Sequence, residues 1–122
     1  CIGERGNDVG IRCAISHRVD QAGVLRFRNG NPARSRNERC FRACVLAECN
    51  FVTFNGSLKT SFAMRAAPLL VGKNPSQVRA VQQLLAFCQQ RTTLQMNMNN
   101  ICDYAEAVHT CIRSNNNLRL GL

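Results

Sequence analysis

Apolar side chains recur along this chain at spacings of three and four, the signature of helices that bury one face. The first such stretch runs from Asp8 to Asp20, with Val9 and Cys13 on one stripe and Ile11, Ile15 and Val19 on another. Gly3, Gly6 and Gly10 weaken its start. From Gly23 to Pro32 the chain carries Asn29-Gly30-Asn31-Pro32, a turn signal, and reads as loop with one short helical turn at most. A better-marked helix spans Arg36 to Cys49. Ser35 and Glu38 form an S-x-x-E capping box, Phe41, Cys44 and Val45 make one apolar face, and Asn50 suits a left-handed stop.

Phe51-Val52-Thr53-Phe54 leads into Asn55-Gly56 with no matching strand behind it, so it reads as a connector whose aromatics point inward. Ser57 is a candidate N-cap for a helix using Leu58, Phe62 and Arg65, and Pro68 is expected to end or kink it. Asn74-Pro75 opens the clearest helix, with Val78, Val81, Leu84, Leu85 and Cys88 inward. Arg91 to Asn100 is polar apart from Leu94, Met96 and Met98. A last helix carries Ile101, Tyr104, Ala105, Val108 and Ile112, and an asparagine run then leads to Leu118, Leu120 and Leu122. Every marked element is helical. The fold class is all-α, in a single domain over residues 1–122.

Cysteine changes the picture most. Eight in 122 residues exceed what reducing compartments usually hold and place the chain outside the cytosol. Cys40 and Cys44 share one helical face with Cβ atoms about 5–6 Å apart. A disulfide needs about 3.8 Å, so these two are placed to bond outward to distant parts of the chain. Cys102 and Cys111, nine residues apart, lie on opposite faces of the last helix, which makes that helix central. Eight cysteines allow 105 pairings, and spacing alone selects none of them. Zinc is the rival reading of Cys40, Cys44 and Cys49, but both histidines are distant and no paired knuckle follows.

The net charge is +9, and fourteen of the sixteen basic residues are arginine. Six of them, Arg26, Arg28, Arg34, Arg36, Arg39 and Arg42, crowd one segment in which Glu38 is the only acid. The plain reading is a solvated basic face; the sharper one is a docking surface for phosphate, sulfate, acidic lipid or polyanion. Nucleic acid fits poorly, because aromatics are scarce and no recognition motif occurs. No apolar run approaches membrane-spanning length, and the start at Cys1 reads as a mature secreted product.

Six cysteines have intervening gaps of twenty-six, three, forty-three, thirteen and eight residues from Cys13 to Cys111. This spacing resembles the insect odorant-binding protein family, whose short fixed gaps of three and eight are its most specific feature. The text around Cys40-Phe41-Arg42-Ala43-Cys44-Val45-Leu46 looks like that family's central helix, and Phe54-Asn55-Gly56-Ser57-Leu58 like the turn after it. The resemblance covers roughly Val9 to Ile112. It implies about six helices enclosing an apolar cavity, with disulfides Cys13–Cys44, Cys40–Cys102 and Cys88–Cys111. Cys1 and Cys49 are extra to the family's six and are expected to pair with each other. Cys49, nine residues beyond Cys40, is expected at the surface. The strongly basic charge also departs from many antennal members.

The function implied is a secreted carrier that buries a small apolar molecule, an odorant, pheromone or lipid-like compound, without cofactor or catalysis. Cavity walls are expected from Ile15, Val45, Phe51, Phe54, Phe62, Leu69, Leu84, Phe87, Met98, Tyr104 and Val108. Leu120 is expected to fold over them, and Arg65 to stand at the mouth as a partner for an anionic head. No acid lies among these walls, which favours neutral or acidic ligands over amines. The other reading is a salivary or venom interaction protein of the same fold, gripping anionic surfaces through its arginines. An odorant receptor is a possible partner for the carrier, acting as monomer or weak homodimer. Enzymatic chemistry has no support: His17 and His109 have no carboxylate motif nearby, no hydroxyl sits in a nucleophile signature, and the thiols are expected to be oxidised.

Overall fold

The computed structural model describes residues 4–52, 59, 61–71, 74–95 and 101–115, with backbone alone for 4–7, 69–71 and 93–95. Among these residues the chain forms six helices: α1 (Glu4–Ser16), α2 (Gln21–Arg28), α3 (Arg36–Glu48), α4 (Phe62–Val71), α5 (Pro75–Gln95) and α6 (Ile101–Ser114). α3 and α6 lie along each other, α1 packs on α3, and α5 packs on both α4 and α6.

The first three helices end alike. Arg18, Gly30 and Asn50 each adopt positive φ, at 56°, 73° and 63°. The following amides reach back to close the helix: Val19 N donates to Ala14 O, Asn31 N to Arg26 O and Phe51 N to Leu46 O, at 2.8–3.0 Å. These are Schellman closures, which satisfy the last carbonyls and turn the chain sharply. The first stops α1 at Ser16, four residues short of the expected Asp20. The third was expected at Asn50, and it delivers Phe51 into the core at 7% exposure.

The stretch from Gly23, expected as loop with one short helical turn at most, instead continues a two-turn helix, Gln21–Arg28. Asp20 caps it, accepting from Gly23 N at 2.9 Å. Gly23 counts against a helix by propensity but is required by packing. A Cβ there would lie 2.5 Å from Val19 Cγ1 and 3.2 Å from Glu38 Oε1. Only half of the expected capping box forms at α3: Ser35 Oγ accepts from Glu38 N at 3.2 Å, while the Glu38 carboxylate turns to Arg26 and to Arg34 N.

Pro68 neither ends nor interrupts α4, which runs to Val71. The carbonyl robbed of its partner belongs to Met64. Met64 and Pro68 are both exposed, so water can satisfy that group and the cost stays small. At α5, Asn74 Oδ1 accepts from Ser76 N and Gln77 N with Pro75 in the first turn, as the Asn-Pro pair foretold. α5 then continues to Gln95, into the polar stretch that begins at Arg91.

Three disulfides tie the frame: Cys13–Cys44 joins α1 to α3, Cys40–Cys102 joins α3 to α6, and Cys88–Cys111 joins α5 to α6. Cys40 and Cys44 thus diverge to different partners, and α6 is held on both faces. Cys49 is also disulfide-bonded, but it is buried at 6% exposure, not at the surface. Cys49 shares a helix stripe with Arg42 and Val45, and that stripe is packed inward instead of facing solvent. Cys1 lies outside the described residues.

Candidate ligand-binding site

The interior is built from one face of each long helix. Val9 and Cys13 of α1, Phe41 of α3, and Phe62, Ala66 and Ala67 of α4 meet Val81, Leu85 and Cys88 of α5 and Tyr104, Val108 and Ile112 of α6. Three alanines on α4 (Ala63, Ala66 and Ala67) keep that wall thin and let helices approach closely. Phe51 meets Phe62 edge to face, ring centroids 5.5 Å apart, an arrangement that places the positive ring edge on a negative face.

Of the expected wall residues, Phe51, Phe62, Tyr104 and Val108 are buried in this core, and Val45 and Leu84 are half-buried against it. Phe54, Met98, Leu120 and the side chain of Leu69 lie outside the described residues. Three residues depart from the expectation. Ile15 is 74% exposed because α1 turns its Val9–Cys13 stripe inward, where Cys13 is bonded to α3. Phe87 is 47% exposed, with the Arg91 guanidinium 5.9 Å from its ring centroid. Arg65 donates to Asn50 O at 2.8 Å and to Cys49 O at 3.5 Å, and stacks over Phe51 at 5.0 Å. It caps the carbonyl end of α3, where a cation is favoured.

The arginine-rich segment divides into two sets. Arg26 grips Glu38 with Nε and Nη2, and this pairing holds the Glu38 carboxyl below its ordinary range. Arg39 pairs with Asp103 at 3.0 Å and Arg42 with Glu106 at 2.9 Å. Arg42 is 2% exposed, and its Nη2 also donates to Asn31 O at 2.7 Å. Glu106 Oε1 accepts from Ala33 N at 2.9 Å, so one carboxylate clamps both α3 and the α2–α3 connection to α6. The remaining Arg28, Arg34 and Arg36 are exposed and make no ion pair among the described residues.

His109 borders this buried network. Its Nδ1 stands 3.4 Å from Arg42 Nη1, a group with only hydrogens to offer, so Nδ1 accepts and Nε2 carries the ring hydrogen. Its ring lies 6.1 Å from that of Phe27. Burial, then the charge of Arg42, lowers the imidazole to about 4, with Glu106 opposing and Arg113 adding to the effect. Sequence reading took the arginines as one surface cluster and missed this network. No local signal marked it: at 100° per residue Arg42 lies about 160–200° around the helix from Cys40 and Cys44, on the face opposite their bonds, and only the packing of α6 shows that this face is buried too.

Comparison with known proteins places these features in context. A model of the PBP/GOBP family matches residues 3–115. General odorant-binding protein 28a of Drosophila melanogaster is 28% identical over 82 residues, covering 67% of this chain and 54% of that protein. The chain therefore spans about half the length of that curated relative. The solved structure of odorant-binding protein dmelOBP28a from the same species superposes with a TM-score of 0.74 at 21% identity, covering 90% of this chain and 88% of the other. A pheromone-binding protein from the cockroach Leucophaea maderae, solved with the fluorescent reporter 1-anilinonaphthalene-8-sulfonic acid, superposes with a TM-score of 0.77 at 19% identity over 93% of each chain. These likenesses are of fold.

Proposed function

This chain belongs to the PBP/GOBP family, and on that premise we propose that it is a secreted carrier of small apolar molecules. The observation that carries the reading is the family match along residues 3–115. The apolar interior and the three crosslinks support it. Staples between α1, α3, α5 and α6 allow a helical shell to stay closed around a ligand without relying on a fully packed core. No helix among the described residues is long and apolar enough to cross a membrane.

In this reading Phe51, Phe62, Tyr104 and Val108 contact the ligand, with Phe54, Leu69 and Met98 completing the wall. Burial of ligand carbon supplies about 0.8 kcal/mol per methylene, so micromolar affinity, about 8 kcal/mol, calls for an extended chain or rings. No carboxylate stands among the proposed walls, which disfavours amines. Arg65, engaged by backbone carbonyls, is not kept as an anion anchor. Leu118, Leu120 and Leu122 lie outside the described residues and are retained as a lid. Removing residues 116–122 is expected to change ligand release.

Displacement of 1-anilinonaphthalene-8-sulfonic acid by a matched alcohol, acid and amine tests the proposal. Binding of the alcohol, little changed between 50 and 500 mM salt, is expected. No displacement by any of the three, or tightest binding of the amine, overturns it. The polyanion reading keeps one supporting observation: Arg28, Arg34 and Arg36 remain exposed and unpaired among the described residues, whereas Arg26, Arg39 and Arg42 are committed to the fold. Affinity falling steeply with salt would mark that reading.

A further inference from the structure

A groove between α1 and α2 lies apart from the interior walls. It encloses about 540 Å³ and is lined by Ile11, Ala14 and Ile15 of α1 and by Val24, Leu25 and Arg28 of α2. Three of the five exposed large apolar side chains among the described residues stand here: Ile11 at 59%, Ile15 at 74% and Leu25 at 47%. Their spacing is ordered. Ile11 and Ile15 are four apart on α1, and Leu25 and Arg28 three apart on α2, so each pair shares a helix face. Arg18 occupies the turn between Ile15 and Val19, both of which line the groove.

The charges around this face are asymmetric. Arg18 and Arg28 are exposed and make no ion pair among the described residues. Asp20 also lines the groove, but its carboxylate is turned to the N-terminus of α2, where it accepts from Gly23 N. Protruding aliphatic side chains beside uncompensated arginines are the pattern of a surface that lies in a membrane interface. A second copy of the chain fits badly, because it would set Arg18 and Arg28 against their own equivalents in a protein of net charge +9. A single soluble lipid fits badly too, since the groove is open and walls this exposed would stay wet around it.

We propose that the α1–α2 face docks on anionic lipid bilayers. Ile11, Ile15 and Leu25 enter the boundary between headgroups and acyl chains, and Arg18 and Arg28 bind the phosphates. This role uses the outer surface and is independent of the carrier reading, which is measured separately by probe displacement without vesicles.

Co-sedimentation with phosphatidylcholine vesicles, with and without 30% phosphatidylglycerol, tests the proposal. Binding to the anionic vesicles alone is expected. Replacing both Ile11→Ser and Ile15→Ser should weaken it tenfold or more. Arg18→Asn with Arg28→Gln should weaken it about 25-fold, roughly fivefold per arginine. Asparagine is chosen at position 18 because it tolerates the left-handed backbone. All four residues are exposed, so the variants are expected to fold, which circular dichroism checks. Three results overturn the proposal: no binding to anionic vesicles, equal binding to neutral ones, or full binding by the isoleucine variant. The last would assign the attraction to charge alone, as for a soluble polyanion.

Discussion

Acid should loosen the contact between α6 and the α2–α3 connection, and His109 is the group to follow. Its folded imidazole titrates at about 4 against an ordinary 6.5, lowered by burial first and by Arg42 second. The folded state therefore refuses a proton that the unfolded chain accepts. The stability this represents is fully present above pH 6.5 and is lost as pH falls toward 4. Between pH 7.5 and 4.5 the linkage amounts to about 2.5 kcal/mol at most, and partial solvent access to the ring brings it to about 1–2 kcal/mol. Glu38, whose carboxyl is also lowered, adds its own loss only below its ordinary 4.5, so the two effects occupy different windows. Urea unfolding at pH 7.5, 6.5, 5.5 and 4.5, followed by circular dichroism, measures the slope. His109→Gln keeps an acceptor for Arg42 but cannot titrate, and its stability should vary less over this range. Equal slopes for the two proteins, or a native protein that gains stability on acidification, would refute the argument.

Other substitutions test the frame. Glu106→Gln strands the buried Arg42 charge and should cost about 3–5 kcal/mol, read by urea unfolding at pH 7.5. Gly23→Ala drives a methyl into Val19 and Glu38 and should cost about 1–3 kcal/mol despite the better helix propensity of alanine; a stabilised variant would contradict the packing account. Replacing Cys40 and Cys102 together with serine opens a crosslink across 62 residues and should cost about 4 kcal/mol on the loop-entropy model, seen as a lower denaturation midpoint. Arg65→Met should weaken the end of α3 while leaving the affinity for an acidic ligand unchanged relative to its alcohol; selective loss of the acid would restore Arg65 as an anion anchor.

Much of this protein was legible in the chain because its determinants are local. Ser35, Asn50 and Asn74-Pro75 act on backbone groups within a few residues, so the bounds of α3 and the start of α5 follow from short-range hydrogen bonding. The three-residue gap between Cys40 and Cys44 forced their bonds outward by helix geometry alone. What the tertiary structure decided has a common cause: a choice among locally equivalent options made by a distant group. α1 carries two apolar stripes, and the Cys13–Cys44 bond selects the one that leaves Ile11 and Ile15 in solvent. α2 carries a glycine at position 23 because a Cβ there would press on the side chains of Val19 and Glu38. Six arginines looked alike until acids 12 and 64 residues away drew Arg26, Arg39 and Arg42 into ion pairs and left the others to the surface. Periodicity reports which residues share a face; only the packed neighbours determine what that face meets.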